Sequence, residues 1–212
     1  MSSNHSYIPL NPERREIRLL EISPWKQDQN EQLRLILKHT ELDNAEPFDA
    51  LSYTWGDPHP TFTVNLDGAE FDVREGLHTA LLNFRQRDES CLLWADAICI
   101  NQDDVRERES QVGIMQHIYS AARFVLAWLG PPTGDGDEAV EWIRSVTPLG
   151  MVDSPWLDVI LLLEKPLFRR IWVVQEIVLG TVVKVYCGNE SIDLAALLMA
   201  HHVHSTLSTH DP

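Results

Sequence analysis

Hydrophobic and polar residues alternate in two neighbouring segments of the chain, residues 62–66 and 69–73. Alternation with a period of two is typical of strands that have one buried face. Asp67 and Gly68 separate the two segments, and this pair favours a two-residue turn between antiparallel strands. The pattern therefore predicts a β-hairpin.

Longer apolar runs predict the remaining strands. Two runs near the amino terminus, residues 17–22 and 33–37, predict a strand pair. Four further runs predict a central sheet and lie at residues 50–54, 92–100, 124–128 and 182–187. The run at 92–100 has no regular polar alternation, which is typical of a strand covered on both faces.

Segments with helical spacing lie between these strands. Apolar residues recur every three or four positions after Leu77, Asp104 and Pro166, and the last of these helices is predicted to end before Gly180. Asp104 and Glu107 resemble a capping box. The alternation of strands and helices predicts an α/β fold with a mixed or parallel sheet and helices on both faces. One core is expected to contain Trp94, Ile98, Ile100, Met115, Tyr119, Phe124, Leu126 and Trp128.

Composition narrows the classes of protein that fit this fold. The 212 residues are 44% hydrophobic, and 17 basic against 32 acidic residues leave a net charge of −15. An acidic chain repels nucleic acid and anionic membranes, so neither is an expected partner. Three cysteines without a paired motif favour a reducing compartment, and no apolar run is long enough to cross a bilayer. We therefore expect a cytoplasmic protein.

Common catalytic and metal-binding motifs do not occur in the sequence. There is no glycine-rich nucleotide loop, nucleophile elbow or zinc-protease motif. His201, His202 and His204 lack the frame of cysteines or carboxylates that a metal site needs, so no metal is expected.

Polar residues follow two of the predicted strands. Trp55, Gly56 and Asp57 come after the first, and Asn101 and Gln102 come after the second. Ligands of open α/β sheets bind beyond the carboxyl ends of strands, where glycine permits close approach and side-chain amides bind amides or hydroxyls. The alternative is that these residues only form turns.

Two further carboxylates are candidate functional groups. Asp96 interrupts a predicted strand, so it needs a hydrogen-bond partner and is either structural or catalytic. Arg169, Trp172 and Glu176 share one face of the helix predicted from Pro166. A carboxylate beside an indole is partly desolvated and can stabilise positive charge on a bound sugar. Alternatively, Glu176 pairs with a neighbouring arginine and Trp172 fills the core.

Three long motifs occur in order along the chain. They are FDALSYTWGD at residues 48–57, LWADAICINQ at 93–102 with a continuation to Gly130, and RIWVVQE at 170–176. Together they resemble the HET domain of fungal heterokaryon-incompatibility proteins. The resemblance implies a role in self/non-self recognition, in which the domain triggers cell death after incompatible cells fuse.

HET domains are in turn similar to Toll/interleukin-receptor (TIR) domains, and this more distant resemblance implies an activity. Trp172 and Glu176 stand four apart, as in the segment of plant TIR domains whose Glu is needed for NAD cleavage. The resemblance thus implies a TIR-like, mostly parallel sheet with an N-terminal β-hairpin addition, and NAD hydrolysis with Glu176 as the catalytic carboxylate. Trp55, Gly56, Asp57, Asp96, Asn101, Gln102, Arg169 and Trp172 would bind this substrate.

The expected organisation is a strand-pair extension at residues 1–45, the HET domain at 46–190 and a tail at 191–212. NAD would be a substrate, with no resident cofactor. A homo-oligomer and an incompatibility partner protein are the expected assemblies. Because NAD is negatively charged, a local arginine is needed, and Arg123, Arg169 and Arg170 are the candidates. The alternative function is a non-enzymatic oligomerisation or interaction module that recruits a death-signalling partner.

Overall fold

The computed structural model of the chain describes residues 5–25, 32–131, 166–169 and 182–195, which contain a nine-stranded sheet. The strands are β1 (Glu16–Ile22), β2 (Arg34–Glu41), β3 (Asp49–Tyr53), β4 (Thr61–Leu66), β5 (Ala69–Arg74), β6 (Cys91–Trp94), β7 (Val125–Trp128), β8 (Val183–Cys187) and β9 (Glu190–Asp193). The helices are α1 (Glu75–Phe84), the short α2 (Asp96–Cys99) and α3 (Val105–Ala121).

The strand order in the sheet is β5-β4-β2-β1-β6-β3-β7-β8-β9. The central strands β6, β3, β7 and β8 are parallel neighbours, and β2 pairs parallel with β4. In contrast, β1 is antiparallel to β2 and β6, and β4-β5 and β8-β9 are antiparallel hairpins. The described sheet is therefore mixed, and the expectation of a mostly parallel sheet holds only for its centre.

Helices cover both faces of the sheet, as the sequence predicts. In β3, Ala50 pairs with Trp94 of β6, and Tyr53 pairs with Trp128 of β7. Successive side chains of a strand point to opposite faces of the sheet, so the side chains at positions 50 and 53 lie on opposite faces, each together with its partner. On one face, Phe84 of α1 contacts Trp128 with ring centroids 5.9 Å apart. On the other, Tyr119 of α3 contacts Trp94 at 5.5 Å. The α/β layering is thus confirmed.

Most of the predicted elements are present within one or two residues. The predicted hairpin is β4-β5, and Asp67 and Gly68 both have positive φ, as a two-residue hairpin turn requires. The amino-terminal strand pair is β1-β2, with Ile17 opposite Thr40. Because β1 also pairs with β6, this strand pair belongs to the same sheet as the rest of the described strands.

The strand predicted at residues 92–100 is wrong beyond Trp94. There β6 ends, and Asp96–Cys99 forms α2 instead. The Asp96 carboxylate accepts a hydrogen bond from the Ala97 amide at 2.8 Å, and the Asp96 carbonyl accepts one from the Ile100 amide at 3.2 Å. An aspartate in the first turn favours a helix here despite the apolar sequence. Asp96 therefore starts a helical turn and does not interrupt a strand.

The start of α3 differs from the predicted capping box. Asp104 does cap the helix, because its carboxylate accepts hydrogen bonds from the amides of Arg106 and Glu107. The Glu107 side chain instead forms a two-pronged ion pair with Arg18 of β1, at 2.6 and 2.9 Å. Arg18 is fully buried, and it also donates to the Cys99 carbonyl at 3.0 Å. This pair fastens α3 and α2 to the sheet.

The predicted core is largely confirmed. Its members Trp94, Ile98, Ile100, Met115, Tyr119, Leu126 and Trp128 are buried in one cluster, whereas Phe124 is only partly buried against it. Val112 of α3 is apolar, yet it is 41% exposed. Gln111 takes its place and donates a hydrogen bond to the Glu16 carbonyl at 2.9 Å.

Two predicted segments lie partly or wholly outside the described residues. Of the helix predicted from Pro166, only a 3₁₀ turn at Pro166–Arg169 is described, and the remainder lies outside the described residues. The histidines of the tail also lie outside them. The domain boundaries stay a prediction, although β9 extends the sheet to Asp193. Within the described residues, no helix has the length and apolar character needed to cross a membrane.

Candidate functional site

The carboxyl ends of β3 and β6 bring the first two sequence motifs together. The strands are parallel neighbours, so the residues that follow them emerge at the same edge of the sheet. Trp55 comes two residues after β3, and Asp96 comes two residues after β6. The Trp55 indole Nε1 donates a hydrogen bond to Asp96 Oδ2 at 2.9 Å. Two motifs that are 41 residues apart in sequence thus form one cluster.

Asp96 organises this cluster through hydrogen bonds from several directions. Its Oδ1 accepts from the Ala97 amide and its Oδ2 from Trp55. Its carbonyl oxygen accepts from Gln102 Nε2 at 2.8 Å. A carboxylate with donors on both oxygens is held in one orientation. The structural role that the sequence left open for Asp96 is therefore present in this arrangement.

The loop after β3 lies close to the start of α1. A Cβ atom on Gly76 would lie 2.5 Å from the Thr54 carbonyl oxygen, closer than real side chains approach backbone. Gly56 has φ +67°, a left-handed conformation that favours glycine. Arg74 Nη1 donates to the Gly56 carbonyl at 3.2 Å, and its guanidinium lies 5.4 Å from the centre of the Trp55 ring. This cation–π contact fixes the indole.

A cavity of about 240 Å³ adjoins the cluster. Its wall includes aromatic and aliphatic side chains from four elements, together with the polar side chains of Gln102, Asp72 and two arginines. The residues that matter most here are Tyr53, Trp55, Phe71, Leu77, Arg74 and Arg108. Arg108 comes from α3, and its Nη1 donates to the Gln102 carbonyl at 2.9 Å. The cavity therefore combines an apolar surface with two cationic groups.

Some of the binding residues predicted from the sequence lie at the cavity, and others do not. Trp55 and Gln102 line the cavity, and Gly56 contributes the carbonyl that binds Arg74. Asn101 forms a turn, because its Oδ1 accepts a hydrogen bond from the Asp103 amide at 3.2 Å. Asp57 lies in the exposed loop that follows. The turn-forming role of Asn101 is thus present, and its role in ligand binding stays a prediction.

The third motif, at residues 170–176, lies outside the described residues. Arg169 belongs to the 3₁₀ turn, and nothing is described of its side chain. Arg170, Trp172 and Glu176 lie outside the described residues, so their roles stay predictions.

The arginines that the sequence singled out for an anionic substrate differ from those at the cavity. Arg123 forms an ion pair with Asp49 at 2.9 Å, at the amino end of β3 and so opposite the cavity. Arg74 and Arg108 line the cavity instead. Neither is among the binding residues predicted from the sequence, and only the fold brings β5 and α3 to the same edge.

Cysteine chemistry is not available in the buried cluster beside the cavity. Burial raises the pKa of the Cys99 thiol in α2 to about 12, so this group stays protonated at neutral pH. Desolvation likewise raises the pKa of Cys91 to about 11. In the described part of the chain, no group of three or more His, Cys, Asp or Glu residues lies close enough together to hold a metal.

Comparison with known proteins gives the family of this fold. The sequence model described as "Heterokaryon incompatibility protein (HET)" matches residues 48–176, which is more than half of the chain and includes all three motifs. The chain belongs to the HET family. The HET domain is also 31% identical over 156 residues to "Heterokaryon incompatibility protein 6, OR allele" of Neurospora crassa. That match covers 68% of the chain and 23% of the relative, so the chain spans about a quarter of the relative's length.

No solved structure matches this chain. The likeness to TIR domains therefore stays an implication of the sequence.

Proposed function

We propose that the HET domain triggers cell death in fungal self/non-self recognition by hydrolysing NAD. Family membership supports the incompatibility role, and the single observation that supports a nucleotide substrate is the cavity beyond β3 and β6. Its position agrees with the general rule that ligands of open α/β sheets bind at the carboxyl ends of strands. It combines apolar walls with Arg74 and Arg108, as a substrate with flat rings and phosphates requires.

In this proposal Glu176 supplies the catalytic carboxylate. Cleavage of the bond between nicotinamide and ribose develops positive charge on the sugar. A fixed negative carboxylate stabilises that charge more strongly in the transition state than in the substrate, which lowers the barrier. Trp172, one helical turn earlier in the predicted helix, would keep the carboxylate partly desolvated.

The second candidate is a non-enzymatic module that self-assembles or recruits an incompatibility partner protein. One observation favours it: Trp55 and Gln102 both donate hydrogen bonds to Asp96, as residues that only maintain the fold would do. In that case the motifs preserve a shape, and the signal depends on assembly into homo-oligomers.

The decisive experiment compares NAD turnover of the parent protein with that of Glu176→Gln. Purified protein at several concentrations is incubated with NAD, and released nicotinamide is measured by chromatography. The amide keeps the shape and removes the charge, so turnover should fall at least about 100-fold, as for other lost electrostatic groups. Glu109→Gln on the exposed side of α3 makes the same change of charge and should retain full activity.

Two results would count against the enzyme. If a folded Glu176→Gln protein released nicotinamide at the parental rate, the catalytic role of Glu176 would be wrong. If the parent released none at any concentration while light scattering showed assembly, the interaction module would be the better account.

A further inference from the structure

Among the described residues, two arginines at the cavity lack the acidic partners that four other arginines have. Arg14, Arg15, Arg18 and Arg123 each lie within 3.2 Å of a carboxylate oxygen. In contrast, the hydrogen bonds of Arg74 and Arg108 to described residues go to backbone carbonyls, those of Gly56 and Gln102. Carbonyls position a guanidinium but do not neutralise its charge. With a net charge of −15, the chain has many carboxylates, yet none in the described residues pairs with these two arginines.

The two guanidinium groups reach the same cavity from different elements. Arg74 ends β5 and Arg108 lies in the first turns of α3, and both line the cavity. A guanidinium has five N–H donors, so one hydrogen bond to a carbonyl leaves most of its donors for a ligand. Planar, forked donors suit phosphate oxygens in particular.

The charged side chains that line the cavity are mostly positive although the protein is acidic. Asp72 also lines the cavity, and its Oδ1 accepts a hydrogen bond from the Thr63 hydroxyl at 2.8 Å. Two arginines and one aspartate leave one positive charge at this wall. The Asp96 carboxylate does not line the cavity, and it accepts a hydrogen bond from the Trp55 indole, which does. Charges more than about 8 Å away are largely screened at physiological ionic strength, so the acidic residues elsewhere on the protein weaken the attraction of the two arginines little.

The size of the cavity limits the part of a ligand that it encloses. Its volume of about 240 Å³ is below the range of about 300–1,000 Å³ that is typical of sites enclosing whole small molecules. Phe71, Leu77 and Tyr53 provide an apolar surface for a ring. A ligand of two parts, a flat ring with its sugar and an attached diphosphate, matches this combination.

We propose that the cavity is the binding site for a nucleoside diphosphate group, with Arg74 and Arg108 as the residues that bind its phosphates. This inference rests on the proposed function, because the diphosphate is a part of NAD. It assigns substrate affinity to two arginines that were not among the binding residues predicted from the sequence, whereas the chemical step belongs to Glu176.

The test measures binding of ADP-ribose, which has no nicotinamide bond to cleave, by isothermal titration calorimetry. Arg108→Gln should weaken ADP-ribose binding about tenfold or more, the usual effect of losing a charge-assisted hydrogen bond. Arg106→Gln is the matched control: Arg106 is exposed on the same helix and outside the cavity wall, so affinity should stay within about twofold. Arg74→Lys keeps the positive charge but lacks the paired donors of a guanidinium, so this variant should also bind ADP-ribose more weakly.

Adenosine, which lacks the phosphates, serves as the second probe. Its affinity should be unchanged in Arg108→Gln, and the affinity of ADP-ribose should fall as salt is raised. The inference would be overturned if the parent did not bind ADP-ribose, or if a folded Arg108→Gln protein bound it as the parent does. Unchanged thermal unfolding of Arg108→Gln shows that the fold is intact.

The outcome is independent of hydrolysis. If ADP-ribose binding depends on Arg108 but no nicotinamide is released from NAD, the binding site stands and the enzymatic proposal fails. If NAD is hydrolysed and Arg108→Gln changes neither its KM nor ADP-ribose binding, the enzyme stands and this site is wrong.

Discussion

Glu107 and Arg108 are adjacent in α3, yet they belong to two different charged regions of the molecule. Glu107 pairs with the fully buried Arg18, and its own side chain is 8% exposed. Arg108 is exposed, lines the cavity and binds a carbonyl. Successive residues of an α-helix are about 100° apart around its axis, so neighbours point to different surroundings. One helix thus supplies a charge to the interior and another to a candidate binding site.

The comparison distinguishes charges that maintain the fold from charges that are available to a ligand. The Arg18 guanidinium also donates to the carbonyls of Ile8 at 2.6 Å and Cys99 at 3.0 Å, and Glu107 Oε1 accepts from the Asn101 amide at 2.7 Å. The interior pair is therefore surrounded by partners. Arg74 and Arg108 have carbonyl partners and line a cavity. Substitutions of the interior pair should therefore lower stability, whereas substitutions of the two cavity arginines should weaken ligand binding.

The largest effect is expected from Glu107→Ala. Removing one member of a buried ion pair leaves the other charge desolvated, and this should lower the free energy of unfolding by about 3–5 kcal/mol. Urea unfolding followed by circular dichroism measures it. Glu109→Ala, two residues later on the exposed side, should change stability by no more than about 0.5 kcal/mol.

A double variant tests whether the uncompensated charge is the cause. Arg18→Met combined with Glu107→Leu removes both charges and should recover much of the lost stability. If Glu107→Ala alone were as stable as the parent, the interior pair would not maintain the fold and the distinction between the two regions would be lost.

An intermediate effect is expected at the wall of the cavity, from Gly76→Ala. The added Cβ would lie 2.5 Å from the Thr54 carbonyl, so the backbone must shift, at a cost of about 1–3 kcal/mol. The loop that carries Trp55 should move with it, which should also weaken ADP-ribose binding. Both quantities are measured on the same protein, by urea unfolding and calorimetry.

Gly113→Ala is the matched control for this substitution. Gly113 lies within α3, and a Cβ atom there would meet nothing within 4 Å. Alanine has the higher helix propensity, so this variant should be more stable by about 0.5–1 kcal/mol. If both substitutions changed the stability in the same direction, the close approach of Gly76 to Thr54 would not be the cause of the destabilisation by Gly76→Ala.

The smallest expected effect is a change of stability with pH, caused by the protonation of two histidines. His78 lies in α1, on the side of the cavity, and His39 pairs with Arg18 of the interior ion pair. Burial lowers the pKa of His78, which stacks on Phe62 with ring centroids 4.4 Å apart. Burial, and then the charge of Arg18, lower the pKa of His39. The unfolded chain therefore binds protons more readily than the native state, and stability should fall as the pH drops below about 6.5.

His78→Phe isolates the contribution of the cavity side. It keeps a stacked ring and removes the titrating group, so the fall in thermal midpoint between pH 7 and pH 5 should be smaller than in the parent. An identical fall in both proteins would show that His78 does not contribute to the acid response.

Several features follow from the sequence by itself because they depend on short-range chemistry. The alternation at residues 62–73 with its Asp67-Gly68 turn determines the β4-β5 hairpin, and Asp104 determines the start of α3. The apolar runs place the central strands β3, β7 and β8 within one or two positions. The motifs also identify the family, since the match to the HET model covers residues 48–176.

Prediction from the sequence fails where a local pattern competes with a specific hydrogen bond. The apolar run at 92–100 predicts one strand, but the first-turn aspartate Asp96 changes its second half into α2. Glu107 matches a capping box by spacing, but a buried arginine on a distant strand takes its carboxylate. In both cases the preference of the local sequence is small compared with the cost of leaving a buried charge or polar group without partners.

Only the tertiary structure decides which distant residues meet. The order of the strands brings Trp55 to Asp96, and it places Arg74 of β5 and Arg108 of α3 around one cavity while Arg123 lies at the opposite end of β3. Helix and strand patterns reflect interactions over a few residues, which one segment encodes alone. The pairing of strands instead depends on the burial that all segments achieve together, so no single segment specifies the position of the candidate site.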